Sequence, residues 1–260
     1  TQREYVPSWH HIDIANKLEA VERGEIKRLI IEMPPQHGKS ELSSIKFPAY
    51  CLGRNPSRKI ITVSYAAEVA QRFGRDVRNS FELPAYKKIF PNTQLREDSK
   101  AANRFNTNQG GFYLAMGRDG SVTSFGADIM ILDDLFKNSI EADSITIREN
   151  VWQAYSSTFL TRLHQDSAIV MLMTRWHEDD LIGRIREKSK ESGETWEVVS
   201  YPALATQDEP KRKEGEALWP ARFGKEYLEK TKKNMETRHW YCLYQQQPIR
   251  AEGQVFHPEW

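Results

Sequence analysis

Met33-Pro34-Pro35-Gln36-His37-Gly38-Lys39-Ser40 is the stretch on which the fold turns. It follows a short apolar run at 29–31 that reads as a buried strand, and it precedes a helix predicted to begin near Gly38. A nucleotide polyphosphate needs backbone N–H groups aimed from a tight turn and a helix N-terminus, a lysine charge, and a hydroxyl for the metal. Gly38, Lys39 and Ser40 supply these in order, as in a Walker A loop. On this reading Lys39 bridges the terminal phosphates of ATP and Ser40 holds Mg²⁺, while Gln36, His37, Gly38 and Glu41 complete the nucleotide-binding segment. The loop departs from G-x-x-x-x-G-K-[ST]: Met33 stands where the first Gly belongs, and Pro34 and Pro35 lack N–H donors, so its shape must differ. A bare Gly-Lys-Ser also suits an ordinary surface turn; the strand before it and the helix after it favour phosphate.

Working outward, further apolar runs at 60–63, 129–132, 169–173 and 196–199 alternate with helical patterns. Ala66, Val69, Ala70, Phe73 and Val77 form one stripe, and Ile147, Val151, Tyr155, Phe159 and Leu163 another. Neither Gly nor Pro occurs between Ala127 and Ile182, so strand, helix, strand and helix should follow with short connections. The prediction is an α/β fold, a P-loop NTPase with a mainly parallel central sheet flanked by helices. A polar stretch at 206–215, with Pro210 and the basic Lys211, Arg212 and Lys213, marks a subdomain boundary. Beyond it, 223–234 and 236–246 read as charged helices, too little for an independent sheet. The expected organisation is an ATPase domain at 1–205 and a small helical linker or lid subdomain at 206–260.

The 260 residues suffice for one large domain, and 37 Lys plus Arg against 36 Asp plus Glu give a net charge of +1. Any nucleic-acid surface must therefore be local. No run of about 18 apolar residues exists, which excludes a membrane-spanning helix. Two cysteines, Cys51 and Cys242, have no metal-ligand spacing, and so few thiols suggest a reducing compartment. The chain starts at Thr1 with neither Met nor a secretory signal pattern, so a piece of a longer protein is expected.

An ATPase of this type needs a carboxylate at another strand end to hold Mg²⁺ and a second acid to orient the attacking water. Met130-Ile131-Leu132-Asp133-Asp134 has that form, with Asp133 assigned to the metal and Asp134 to the water. The competing reading is an Asp pair capping the following helix. Met171-Leu172-Met173-Thr174-Arg175-Trp176 ends another buried strand, where Thr174 is placed to sense the γ-phosphate or, alternatively, to make an ST-turn. Glu178, Asp179 and Asp180 read as acids in the first turn of a helix rather than as a nuclease metal cluster.

Pro34 to Ser40, Ile131-Leu132-Asp133-Asp134, Thr174 to Leu181, and Tyr244-Gln245-Gln246-Gln247-Pro248 together resemble the large terminase subunit of tailed bacteriophages. The resemblance implies the ATPase domain of a genome-packaging motor: a P-loop fold with an inserted catalytic-acid strand, hydrolysing ATP with Mg²⁺ to move double-stranded DNA into a procapsid. It implies a homo-oligomeric ring on the portal, a small terminase subunit as partner, and the host cytoplasm as location. A ribonuclease-H-like nuclease domain follows in that family, so no nuclease site is expected before Trp260. Trp9, His10 and His11 resemble the adenine-side segment; an N-terminal helix anchor is the alternative. Several relatives place an arginine inside the loop, where this chain has Pro35.

Ring motors commonly take an arginine from the neighbouring subunit, because a desolvated guanidinium stabilises the transferring phosphoryl group. Arg118 is the candidate, with Arg148 and Arg162 as alternatives. For DNA phosphates the candidates are Arg184, Arg186, Lys188 and Lys190, or the run from Lys211 to Lys213; all also fit solvated charged faces. A helicase-like ATPase would need a second sheet domain that about 60 residues cannot build. A non-hydrolysing nucleotide-binding module is opposed by the joint presence of Lys39 and the acid pair.

Overall fold

The computed structural model describes residues 6–120 and 124–249; the end of the expected 206–260 subdomain, residues 250–260, lies outside them. In chain order the elements are α1 (Trp9–Glu22), β1 (Arg28–Glu32), α2 (Phe47–Arg54), β2 (Lys59–Ser64), α3 (Ala67–Ser80), α4 (Pro84–Ile89), β3 (Leu95–Lys100), β4 (Arg104–Thr107) and β5 (Phe112–Gly117). There follow β6 (Ala127–Asp133), α5 (Ser139–Asp143), α6 (Ile145–Gln153), β7 (Leu163–Met173), α7 (Leu181–Ser192), β8 (Glu197–Ser200), α8 (Lys225–Asn234) and α9 (Thr237–His239). π-helical turns at Glu41–Lys46, Ala154–Phe159 and Trp240–Tyr244 lead into α2 and extend α6 and α9.

One eight-stranded sheet has the order β3-β4-β5-β2-β6-β7-β1-β8. The six strands from β5 to β8 pair parallel, and β3 and β4 add an antiparallel edge. Alternation along each strand decides which layer a residue enters. Leu29, Ile31, Ile129, Ile131, Val170 and Leu172 join one core with Ile14 and Leu18 of α1 and Phe73 and Val77 of α3. Ile30, Met130, Leu132, Ile169 and Met171 join the other with Val151, Tyr155 and Phe159 and with Ile182 and Ile185 of α7. Each such side chain contributes about 1.5–3 kcal/mol by leaving water, so a sheet apolar on both faces holds helices on both faces.

The five strands and the two helical stripes expected from the sequence are present, with one adjustment: Leu163 opens β7 instead of closing the second stripe. The spacing of four between Val151, Tyr155 and Phe159 is accommodated by the π-helical turn at Ala154–Phe159, and all three are buried. β3, β4 and β5 go beyond those expectations. Leu-Arg-Glu-Asp-Ser-Lys in β3 is mostly exposed and carries almost no apolar signal, as suits an edge strand defended by charge.

A third, smaller cluster gathers Ala203, Leu204, Ala217, Leu228 and Trp240, with Phe223, Met235 and Tyr244 packed on it. It is tied back by Gln245, whose side-chain amide pairs with Leu204 as a strand would, accepting from its N–H at 3.1 Å and donating to its carbonyl at 3.0 Å. The Ala203 N–H donates to the Tyr244 carbonyl at 2.6 Å.

Candidate functional site

β7 lies between β1 and β6, and in the parallel register Glu32 stands beside Met173 while Asp133 stands beside Leu172. The segments leaving these three strands therefore emerge side by side at one sheet edge, where open parallel sheets bind ligands. The strand inserted between the loop strand and the acid strand leads into Thr174; Asp133 ends β6 and Asp134 follows in the turn.

The phosphate-loop stretch turns through two positive-φ residues, Gln36 at 65° and Gly38 at 95°. A Cβ on Gly38 would sit 2.9 Å from His11 Nε2, so that position requires glycine twice over. Met33 is fully buried in the core, closing the strand rather than opening the turn. From Gly38 the chain enters helix at once, the Leu42 N–H donating to the Gly38 carbonyl at 3.1 Å. The first helical N–H groups are thereby left pointing out of the turn.

Lys39, 6% exposed, sends its ammonium to Asp134 Oδ2 at 2.8 Å and to the Thr174 hydroxyl. Asp134 adopts a left-handed φ of 43°, which turns its carboxylate across the edge so that Oδ1 accepts the Thr174 N–H at 2.8 Å. Asp133 lies behind, buried, accepting from Ser40 Oγ at 3.2 Å and Ser44 Oγ at 2.6 Å. Burial, reinforced by the Asp134 charge, pushes the Asp133 carboxyl up to about 6 despite Lys39 and the two hydroxyls. A buried carboxylate disfavoured as a lone charge, beside a hydroxyl, suits a small hard cation. Ser40 and Asp133 are the residues that would hold Mg²⁺.

These groups border a cleft of about 430 Å³ lined by Gln36, Lys39, Ser40, Glu41, Asp134 and Thr174, and also by Tyr65, Arg72, Lys137, Trp176 and Arg222. Sequence reasoning missed the latter five. Arg72 lies on α3 and Arg222 beyond the polar stretch, and neither carries a local motif; only the topology brings them here.

Several sequence expectations are corrected by position. His10 and His11 are buried and face the loop's backbone, not the cleft: their Nε2 atoms stand 3.3 and 3.0 Å from the His37 carbonyl. His11 Nδ1 accepts the Ser8 N–H at 2.9 Å, which puts its proton on Nε2, the donor to that carbonyl. Trp9 packs edge-on against Tyr201, 5.7 Å between centroids. The alternative of a helix anchor, buttressing the loop from behind, describes all three. The His37 side chain likewise turns from the cleft, donating from Nδ1 to the Pro35 carbonyl at 2.8 Å and lying tilted against the Phe223 ring. Burial holds His10 down at about 3 and His37 at about 4.

Arg118 is a wall residue rather than an outward finger: it donates to the Leu135 carbonyl at 2.6 Å and pairs with Glu141 at 2.7 Å, its side chain 13% exposed. Arg148 is similarly held inside by Asp179 and the Ala142 carbonyl. Arg162 immediately precedes β7, so it sits at the opposite sheet edge, roughly 35 Å away at about 3.3 Å per strand residue. Among the DNA candidates, Arg184 pairs with Asp179 and Glu149, Arg186 with Glu32, and Arg212, buried, with Glu209. Lys188, Lys190 and Lys213 are exposed and hold only exposed acids. Asp180 caps α7 by accepting the Gly183 N–H at 3.0 Å, and its other oxygen accepts from Arg175. Arg175 also reaches Glu32 at the end of β1, making a buried brace beneath the loop.

In structure the chain is similar to the large terminase of bacteriophage HK97, with a TM-score of 0.60, 13% identity, and coverage of 95% of this chain and 51% of that one. It is similar to the large terminase ATPase domain of Thermus phage P74-26, with a TM-score of 0.53 and 16% identity over 95% of this chain and all of the other. The large terminase of a thermophilic bacteriophage, in complex with ATP-gamma-S, aligns at a TM-score of 0.51 and 7% identity over 90% of this chain and 51% of that one. At such identities the likeness is one of fold, and the chain spans about half the length of the first and third of these proteins. No curated protein matches the sequence. Residues 30–259 match the family described as terminase large subunit, T4likevirus-type, N-terminal; with nearly the whole chain covered, the protein belongs to the terminase large subunit family.

Proposed function

We propose that this chain is the ATP-hydrolysing motor domain of a packaging terminase, driving double-stranded DNA into a procapsid. The observation that carries the proposal is the convergence of Lys39, Ser40, Asp134 and Thr174 on one cleft at the ends of three neighbouring parallel strands, with Asp133 buried behind Ser40. ATP binds with its phosphates along the loop, where Lys39 and the first helical N–H groups neutralise them. Mg²⁺, held through Ser40 and Asp133, supplies Lewis-acid neutralisation of phosphate charge. Asp134 orients the attacking water, and once phosphates draw Lys39 away its carboxylate is free for that task. Thr174, bonded both to Lys39 and through its N–H to Asp134, registers whether the terminal phosphate is present.

Family membership supports the rest of the reading. Residues 1–205 form the ATPase domain and 206–260 a linker subdomain; the protein works in the host cytoplasm as a ring docked on the portal, served by a small terminase subunit. DNA is gripped through its phosphates, which makes binding indifferent to sequence and weaker in salt. Lys188, Lys190 and Lys213, whose exposed ion pairs exchange partners at little cost, and the exposed Lys211 are the cations best placed for this.

Phosphate release by the purified chain tests the proposal. Lys39→Ala and Asp134→Asn should each abolish turnover, and Lys88→Ala, on exposed α4, should not. Normal turnover by Asp134→Asn would overturn the assignment of the water-orienting acid, and nucleotide binding unaffected by Lys39→Ala would overturn the site itself.

A further inference from the structure

Most arginines of the described chain are paired with carboxylates, yet two that line the nucleotide cleft are not: Arg72 on α3 and Arg222 just before α8. A guanidinium left without an anion, beside a cleft that already holds a lysine and a helix N-terminus, is available to a phosphate. The two differ in how they are held. Both are exposed, but Arg72 lies only 5.7 Å from the ring of its own chain neighbour, Phe73. Arg222 rests over two rings at once, 5.2 Å from the Trp219 centroid and 5.3 Å from that of Phe223.

Both rings lie against the phosphate loop or its buttress, and Phe223 also packs on the third hydrophobic cluster. Trp219 packs edge-on against His11 at 4.5 Å, Phe223 lies tilted against His37 at 4.6 Å, and Phe223 packs on the cluster built from Ala203, Leu204, Ala217, Leu228 and Trp240. A force on the Arg222 guanidinium therefore reaches, through one aromatic step, both the loop backbone and the helices that follow residue 224.

We propose that Arg222 is a phosphate-reading residue: its guanidinium binds the terminal phosphate of ATP in cis and thereby draws the 203–244 cluster onto the loop, releasing it when that phosphate leaves. This rests on the reading of the cleft as an ATP site. The guanidinium is positioned in advance by the aromatic shelf, so little side-chain freedom is lost on binding. Lysine at this position keeps the charge but loses the planar stacking and the forked donors, and should be an incomplete substitute.

The test measures binding of ATP-gamma-S and ADP to the purified chain by calorimetry, together with Trp219 fluorescence in a variant whose other tryptophans are replaced by phenylalanine. Arg222→Ala should weaken ATP-gamma-S binding by about tenfold or more while changing ADP binding by less than about twofold, the scale of one charge-assisted hydrogen bond. Arg222→Lys should fall between. The fluorescence change on adding ATP-gamma-S should vanish in Arg222→Ala. Equal weakening of both nucleotides, or no weakening of either, would overturn the proposal; so would an unchanged fluorescence response. Lys39→Ala run in parallel separates the two failures: if it loses both nucleotides while Arg222→Ala loses neither, the cleft stands and the role of Arg222 falls. If it loses neither, the ATP site itself falls, and Arg222 with it.

Discussion

The Lys39 ammonium stands 2.8 Å from Asp134 Oδ2, joining a turn at the end of β1 to a turn at the end of β6 across the intervening strand β7. The bond depends on the left-handed backbone of Asp134, φ 43°, which turns its carboxylate toward Lys39 and away from the buried Asp133. Adjacent acids thus occupy different environments, one solvent-touched and paired with a cation, the other buried between hydroxyls.

Asp134→Asn should keep the fold, since the amide oxygen still accepts the Thr174 N–H, but should lower the rate of phosphate release by at least about 10²-fold. Ser44→Ala, which takes one hydrogen bond from Asp133, should weaken Mg²⁺-dependent nucleotide binding more than Mg²⁺-free binding. Calorimetry with and without the metal reads the second; equal losses would refute it.

Gly38→Ala meets two obstacles, φ of 95° and His11 Nε2 at 2.9 Å, whereas Gly193→Ala meets only a φ of 73° with nothing near its Cβ. The Gly193 change should cost about 1 kcal/mol, the strain of a left-handed non-glycine residue, and leave nucleotide binding intact. The Gly38 change should cost more in a urea melt and remove ATP binding. Similar binding by the two variants would show that the loop tolerates displacement from His11.

Stability should fall on acidification because of the histidine buttress. His10 is held at about 3 and His37 at about 4 by burial, below the ordinary 6.5 of the unfolded chain. The unfolded state therefore binds more protons, so the contribution is full above about pH 6.5 and is lost progressively as pH falls toward 4 and 3. Each histidine adds a slope of up to about 1.4 kcal/mol per pH unit within that window. His10→Gln, which keeps an N–H for the His37 carbonyl and cannot ionise, should flatten the dependence of urea midpoint on pH between 7 and 5. A parallel curve for the variant would place the acid sensitivity elsewhere.

Arg175→Ala leaves Glu32 and Asp180 as buried carboxylates without their shared cation, their side chains 1% and 0% exposed. The expected loss is about 3–5 kcal/mol of unfolding free energy, measured by urea titration. Arg175→Lys should lose most of it too, since one ammonium cannot donate to both acids from the positions that the guanidinium's Nη1 and Nε occupy.

Which features were legible in the sequence follows from the range of the signal each depends on. The parallel strands were readable because a strand buried on both faces is a continuous apolar run, as in Ile129 to Leu132, and helices over them repeat every three to four residues. β3 was not, because Leu-Arg-Glu-Asp-Ser-Lys buries so little that its pairing with β4 is dictated by the neighbouring chain and not by its own composition. The histidines show the same division within the site. His10 and His11 were recognisable as a conspicuous pair, but which way a ring faces depends on what lies opposite, and the His37 carbonyl lies opposite.

The sequence by itself determined the chemistry available: a glycine-lysine-serine turn after a buried strand, a pair of aspartates ending another, and a threonine ending a third, each fixed by local periodicity and residue type. The tertiary structure alone decided which cations share the cleft, setting Arg72 and Arg222 there and folding Arg118, Arg148 and Arg175 into internal ion pairs. The physical reason is that a guanidinium's role is set by the nearest anion in space. Where that anion lies depends on strand order, which periodicity along the chain does not encode.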